Sequence, residues 1–445
     1  MFYRMKRKLT VLWLLLGLGS RLHLVSSLSI TEIIVLLGAP CIFVKNCQAM
    51  KRHGIMPLFV SSLFVVIGCI VAAVVNASPL EAVIRGLAAT CIIASSIVFA
   101  HWIITQDPNG FKWYFLMLPA SAIISTFIFQ SAGEYARYGD SVEDIMSGPI
   151  FWISRLYPLV LAPTKGWYLQ VPEIISIMAP IFMAVFSMLT STSGRSGMLT
   201  GICFAALVMV GGKTRRSMGR IMRHFWTLLI GAVVMIVIMY MAYKVSASQG
   251  WLGEGAYKKY QIQTSGGQGG MGRLILGGRG DSFVGLLACR DKPIVGWGPW
   301  AWDKNGYAEE FIAEYGTLED LKRMNDLKIL QIRAGITDRL IPFHSHITEL
   351  WLWYGIFGLI FILYIIYILF RYLKQDVSAV PQWFAWLTCS MPGIFWAIFF
   401  SPLNERFGLP LFVVACLMAR AVRLGTYQLP YEMIVEIEKA ERKYA

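Results

Sequence analysis

Apolar runs of about 20 residues recur along the whole chain, and short polar segments separate them. An α-helix needs about 20 apolar residues to cross the hydrocarbon core of a bilayer, so each run predicts one crossing. Eleven runs are clear, at residues 9–25, 28–45, 56–76, 80–104, 111–131, 171–190, 196–211, 224–243, 346–371, 382–400 and 406–423.

The Lys and Arg residues between the runs orient them, because such residues concentrate in loops that stay in the cytoplasm. The basic start "RMKRK" places the N-terminus inside, and we interpret the first run as a retained helix rather than a signal peptide. Eleven crossings would place the most basic short loop, "KTRRSMGRIMRH" (213–224), outside. A twelfth crossing at 148–163, "GPIFWISRLYPLVLAP", moves that loop inside and brings both termini into the cytoplasm.

The pattern therefore predicts an all-α polytopic membrane protein with about 12 transmembrane helices. Helices 1–9 lie in residues 1–243, and helices 10–12 lie in residues 346–424. Between them, residues 244–345 form a large loop domain on the outer face, in which "YAEEFIAEYGTLEDLKRMNDLKILQIRAG" predicts helices. Residues 425–445 form a cytoplasmic tail.

Composition agrees with this class, since 56% of the residues are hydrophobic, 15% are charged and the mean hydropathy is +0.58. A net charge of +14 would suggest nucleic acid in a soluble protein. Here the cytoplasmic loops explain the charge, and we expect no nucleic-acid partner. Only Cys289 falls in the long polar segment, so we expect no internal disulfide there.

The first candidate for chemistry is Arg195, in "TSTSGRSGML" at the start of a predicted crossing. Its neighbours Gly194 and Ser196 are small, so backbone N–H groups can approach a ligand closely. A guanidinium beside the positive end of a helix dipole suits a phosphate. The alternative is an interfacial Arg that reaches the lipid headgroups.

The second candidate is the pair His344 and His346, at the outer end of the crossing that begins at 346. One of them can serve as a general base at the membrane surface. Two His residues two apart can also bind zinc, with Glu349 as a third ligand, but no further ligand cluster supports that reading. The remaining alternative is an interfacial anchor beside Trp351 and Trp353.

Four further arginines are also candidates. Arg279 lies between glycines in the loop domain, where Asp281 is an alternative partner. Arg85 lies one helical turn from Glu81, which makes a simple i,i+4 pair the alternative to lipid or diphosphate binding. Arg155 lies within the weak twelfth crossing, where an intramembrane charge points to function. Arg339 precedes the histidine pair.

Taken in order, these motifs resemble the bacterial O-antigen ligase and O-antigen polymerase superfamily. The turn "SGRSG" opens a helix, and the loop contains "GRGDSFVGLLACRDKPIVGWG". A His then stands eleven residues before a Gly in "HSHITELWLWYGIFGL". Each motif is short, but their order, spacing and predicted common side make the resemblance substantial over most of the chain.

The resemblance implies a glycosyltransferase of GT-C-like architecture in the bacterial inner membrane, with its active site facing the periplasm. Such an enzyme moves a glycan from undecaprenyl diphosphate to a sugar hydroxyl of lipid A-core during lipopolysaccharide assembly, without a metal or cofactor. Arg195 and Arg279 match the family's arginines, and His344 matches its His by spacing. His346 stays open as the base, because Ser345 stands where the family usually has Asn.

Two other functions stay open at this point. An O-antigen polymerase would extend a second lipid-linked glycan, and one sequence does not separate it from a ligase. A transporter of lipid-linked sugars would also fit twelve crossings. Transporters usually place polar sites near the midplane and break helices there, whereas the candidate residues here lie mostly at one edge.

Overall fold

The structure is a computed structural model. It describes residues 2–20, 22–25, 28–106, 241, 244–251, 257, 260, 282–315, 340–343 and 345–374, together with single residues within 113–124 and 394–419. This part of the chain is mostly helical. Its elements are α1 (Phe2–Gly19), β1 (His23–Val25), β2 (Leu28–Ser29), α2 (Ile30–Arg52), α3 (Met56–Val75), α4 (Leu80–Gln106), α5 (residues 282–291), α6 (Tyr307–Tyr315) and α7 (His346–Lys374).

The N-terminal region differs from the predicted crossing at 9–25. Helix α1 ends at Gly19, just before Ser20, Arg21 and His23 interrupt the apolar run, and the apolar stretch Leu9–Gly19 is shorter than a bilayer span. The antiparallel strands β1 and β2 follow it. Thr31 Oγ1 donates to the Leu16 carbonyl over 2.5 Å, which ties α1 to the start of α2.

Helix α2 has a well-defined start. Ser29 accepts a hydrogen bond from the Glu32 amide at 3.3 Å, and the Glu32 carboxylate accepts one from the Ser29 amide at 2.7 Å. This reciprocal cap satisfies two amides that the helix itself leaves without acceptors. The helix continues to Arg52, beyond the predicted end at 45, and places Lys51 and Arg52 at the negative end of its dipole.

Four helices of the described part are long and apolar enough to cross a membrane: α2, α3, α4 and α7. Helix α4 packs against both α2 and α3, and α3 packs against α7. Gly68 of α3 allows the closest approach, since a Cβ there would lie 2.8 Å from Phe357 Cβ. Small residues at such contacts let membrane helices meet along their backbones.

These helices confirm the membrane-embedded class and four of the predicted crossings, at 28–45, 56–76, 80–104 and 346–371. In the loop domain, α6 confirms the helix predicted from "YAEEFIAEY". Apart from the run at 9–25, the other predicted crossings, including 148–163, lie outside the described residues or touch only single residues of them.

Candidate functional site

Two of the predicted site residues, Arg85 and His346, lie in the described part of the chain. The rest lie outside the described residues: Arg155, Gly194, Arg195, Ser196, Arg279, Arg339 and His344. What the structure describes are the segments next in sequence to several of these residues: 282–315, 340–343 and 345–374.

Among these segments, the main feature is a break in α7 at Gly355. This residue has φ 59° and ψ −143°, a conformation that only glycine adopts readily. A Cβ at Gly355 would overlap the carbonyl of Ile294, and a Cβ at Gly358 would overlap the carbonyl of Leu350. The glycines of the sequence motif "YGIFG" therefore let the chain turn sharply and let a loop approach the turn.

The loop that approaches the turn contains the motif "PIVGWG" (293–298). The Trp297 amide donates to the Leu352 carbonyl over 2.7 Å, and the Gly298 amide donates to the Trp353 carbonyl over 3.1 Å. In return, the Ile356 amide donates to the Ile294 carbonyl over 3.0 Å. The loop thus satisfies backbone groups that the broken helix leaves without partners. We call residues 294–298 and 352–356 the Gly355 junction.

Aromatic rings fill the space around the junction. The rings of Trp300 and Trp353 stack at 4.8 Å between centroids, and Phe343 meets Trp353 edge-on at 5.4 Å. The Ile341 amide donates to the Ala301 carbonyl over 3.0 Å. These contacts fix residues 341–343, the segment that leads into the histidine pair.

Ser345 begins the first half of α7 and is buried. Its hydroxyl accepts from the Thr348 amide at 3.3 Å and donates to the Ile398 carbonyl at 3.1 Å. An N-cap accepts either Asn or Ser, because both supply a side-chain oxygen to the first free amides of a helix. Replacement of Ser345 by Asn would therefore be a conservative change at this position.

His346 and Glu349 lie one turn apart at the start of α7, and both are buried, with Glu349 only 1% exposed. A carboxylate buried in a membrane protein requires compensating partners, and such groups mark functional sites by default. From the sequence, Glu349 was a candidate only as a metal ligand. The stronger signal was its place in the first turn of an apolar helix. Within the described part of the chain, no three His, Cys, Asp or Glu residues are grouped closely enough to hold a metal ion.

Arg85 forms the i,i+4 ion pair that was the alternative to a binding role. Its guanidinium lies 2.5 Å from the Glu81 carboxylate, and both side chains are more than half exposed. The neighbouring Gly86 contacts Pro299, so this end of α4 lies next to the loop that forms the junction.

The charged residue Asp291 lies just before the loop at 294–298. The Tyr307 hydroxyl donates to the Asp291 carboxylate over 2.6 Å, and this bond, followed by Arg290, lowers the pKa of Asp291. Burial raises the pKa of Tyr307, and the Asp291 charge raises it further. Arg290 also lies 3.9 Å from Glu310 of α6. These contacts join α5 to α6.

Sequence reasoning missed a second polar cluster, formed by Asn46, His53 and His101. Asn46 Nδ2 lies 2.8 Å from His101 Nδ1, and His101 Nε2 lies 2.8 Å from His53 Nδ1. All three side chains are buried, and they connect α2, the α2–α3 turn and α4. The available signal was His101 itself, an ionisable residue inside the predicted crossing 80–104. We call these residues the histidine cluster.

Comparison with known proteins identifies no relative: no protein-family model matches the chain, and no curated protein or solved structure matches it significantly. What bears on function is therefore the set of sequence motifs and the contacts between them. Two of those motifs, "PIVGWG" and "YGIFG", meet at the Gly355 junction.

Proposed function

We propose that this protein is an O-antigen ligase of the bacterial inner membrane. It moves a glycan from undecaprenyl diphosphate to a sugar hydroxyl of lipid A-core at the periplasmic face, with inversion at the anomeric carbon. The observation that supports this function best is the Gly355 junction. The motifs "PIVGWG" and "YGIFG" both contribute to the family resemblance. They lie about 60 residues apart in sequence, and three backbone hydrogen bonds join their segments at the junction.

In the proposed reaction, the acceptor oxygen bonds to the anomeric carbon while the bond from that carbon to the diphosphate oxygen breaks. The acceptor proton passes to the imidazole of His344 or His346, and undecaprenyl diphosphate leaves with the bonding electrons. A positioned general base contributes roughly 10²–10⁴-fold to such a step. Nearby arginines keep the imidazole neutral, because like charge disfavours its protonated form.

Arg195 and Arg279 hold the departing diphosphate in this mechanism. Guanidinium groups bind phosphate oxygens through two parallel hydrogen bonds and keep their charge at any physiological pH. Loss of one preorganised donor to a developing anion costs about 2.7–4 kcal/mol of transition-state stabilisation. Gly194 and Ser196, which flank Arg195, are small enough to leave the backbone open to the diphosphate, and Arg155 and Arg339 are further candidates for its binding.

The histidine role is tested by glycan transfer in proteoliposomes, with purified lipid-linked glycan as donor and lipid A-core as acceptor. We compare His344→Ala and His346→Ala with His224→Ala, the same change in the basic loop 213–224. One of the first two variants should lose about 100-fold or more in rate, and the control should keep the wild-type rate. Wild-type transfer by both His344→Ala and His346→Ala would remove the proposed base.

The acceptor separates this function from that of an O-antigen polymerase. The same assay is run with the donor alone and with the donor plus lipid A-core. A ligase gives product only when the core is present. Elongated lipid-linked glycan in the absence of core would instead assign the protein to the polymerase branch.

One observation favours a transporter of lipid-linked sugars as the second candidate. Helix α7 is broken at Gly355, beside Gly68 in the middle of α3, and transporters use broken helices at their binding sites. The two functions differ in whether new covalent product forms. Product from donor and acceptor supplied on one face of the proteoliposome supports transfer, whereas donor translocation without product supports transport.

A further inference from the structure

Lys292 is held in a defined position between the junction loop and the α3–α4 turn. Its Nζ donates to Asn76 Oδ1 and lies 4.0 Å from the centroid of the Trp297 ring. The side-chain nitrogen of Asn76, Nδ2, donates to the carbonyls of Ala72 at 2.7 Å and Gly296 at 3.0 Å. These bonds orient the Asn76 oxygen toward Lys292, so the ammonium group is positioned rather than free to swing.

The charge at this position is not balanced by the nearby carboxylates. Asp291 accepts from Tyr307 and pairs with Arg290, and Asp303 accepts the amides that begin α6. Among the described residues, no carboxylate forms an ion pair with Lys292 or Lys304. Partial burial, and then the charge of Lys304, lower the pKa of Lys292. Lys292 is therefore a partly desolvated ammonium group that also senses the charge of the exposed Lys304.

Exposed apolar side chains lie close in sequence to Lys292 and to its partner Asn76. Val74 and Val75 precede Asn76, Leu80 follows it, and Ile294 stands two residues after Lys292; each is more than 60% exposed. In a membrane protein such surfaces contact acyl chains. Ammonium groups at the edge of an apolar surface are the usual partners of anionic lipid headgroups.

We propose that Lys292 and Lys304 bind a phosphate group of a membrane lipid, whose acyl chains lie along the exposed residues at the end of α3 and the start of α4. Asn76 and Trp297 position Lys292 for this contact. The ligand chemistry is a phosphate ester on a lipid, which phospholipids and phosphorylated glycolipids share. The site does not depend on the glycan-transfer proposal, because it is defined by binding alone.

The test is binding of fluorescent phosphatidylglycerol and of a fluorescent phosphorylated lipid A to the detergent-purified full chain. The double variant Lys292→Met with Lys304→Met is compared with Lys51→Met and Lys244→Met, which removes the same charge from exposed lysines elsewhere. We expect the first to bind at least one of the lipids about 10- to 30-fold more weakly, and the control to stay within about twofold of the wild type. The lipid with the larger lysine-dependent loss identifies the source of the phosphate.

Lys304→Met alone keeps the result interpretable if the Lys292 change disturbs folding, because Lys304 is exposed. This single variant should elute as the wild type does in size exclusion and bind about fivefold more weakly. Inorganic phosphate is the third probe. Equal losses in the test and control doubles would overturn the proposal. So would lysine-dependent binding of inorganic phosphate without lysine-dependent binding of either lipid.

Discussion

The Gly355 junction and the histidine cluster satisfy buried polar groups with different kinds of hydrogen bond. Both must satisfy polar groups inside an apolar bundle, where an unpaired group costs several kcal/mol. The junction uses backbone bonds between a loop and a broken helix, so its main sequence requirement is the absence of side chains at Gly355 and Gly296. The cluster uses only side-chain bonds between intact elements, so it requires particular imidazoles and an amide.

The two regions should therefore fail under different substitutions. A backbone junction tolerates many side chains but no added Cβ at its glycines. A side-chain cluster tolerates ordinary backbone changes but no loss of its polar atoms. The four predictions below test this distinction in order of decreasing effect.

The largest effect is expected for Gly355→Ala. The added Cβ would overlap the Ile294 carbonyl and would hold a backbone conformation that side chains disfavour. We expect a loss of about 4 kcal/mol in the free energy of unfolding, from strain plus overpacking, measured by SDS titration in mixed micelles. The matched control is Gly250→Ala, with φ +72° and nothing within 4 Å of the new Cβ. It should cost only about 1–2 kcal/mol. Equal losses in the two variants would mean that the junction contact contributes nothing.

The next effect is expected for His101→Ala, which removes both links of the histidine cluster and leaves a buried cavity. We expect a loss of about 2–4 kcal/mol in the same titration. The control is Thr105→Ala, one turn along α4, whose hydroxyl bonds only to the His101 carbonyl of its own helix at 2.8 Å. A His101→Ala protein as stable as this control would show that the cluster does not hold α2 to α4.

A smaller effect is expected at the N-cap of α7. Ser345→Ala should lower the free energy of unfolding by about 1 kcal/mol, and Ser345→Asn should be close to neutral, because Asn caps a helix as well as Ser does. The same titration measures both. A Ser345→Asn protein that is less stable than Ser345→Ala would contradict the assignment of Ser345 as the N-cap of α7.

The smallest stability effect is expected for Arg85→Gln, which breaks an exposed pair with Glu81. Such pairs contribute about 0.3–0.5 kcal/mol. Glu81→Gln is the control, since it breaks the same pair and keeps the arginine. A fall in glycan transfer for Arg85→Gln but not for Glu81→Gln would support substrate binding by Arg85. Equal activity in both would leave the ion pair as its only role.

The length of the apolar runs predicted the helices well where the run itself decides the outcome. Helices α3 and α4 match the predicted crossings 56–76 and 80–104 within two residues, because hydrophobic length alone defines a span. The first run was predicted too long, since α1 ends at Gly19, just before the polar residues Ser20 and Arg21. The break in α7 was not predicted, because its apolar pattern continues through Gly355 without interruption.

The sequence predicted the local contacts of the site residues and missed the long-range ones, for a similar reason. Arg85 and Glu81 were paired from their spacing, which a helix fixes locally. The contacts of Asn76 with Lys292 and of His53 with His101 join residues 216 and 48 positions apart. No local sequence pattern predicts such pairs, so only the tertiary structure identifies them.

Sequence alone determined that this is a helical membrane protein, because apolar residues at that density must leave water and a single helix can satisfy its own backbone in a bilayer. It also supplied the glycine motifs. Only the tertiary structure decided what those glycines do: the loop at 294–298 bonds to two carbonyls and one amide that the broken helix exposes, and a Cβ at Gly355 would prevent the contact. The physical reason is that hydrophobic length is a property of each segment, whereas a hydrogen bond requires both partners to be in place.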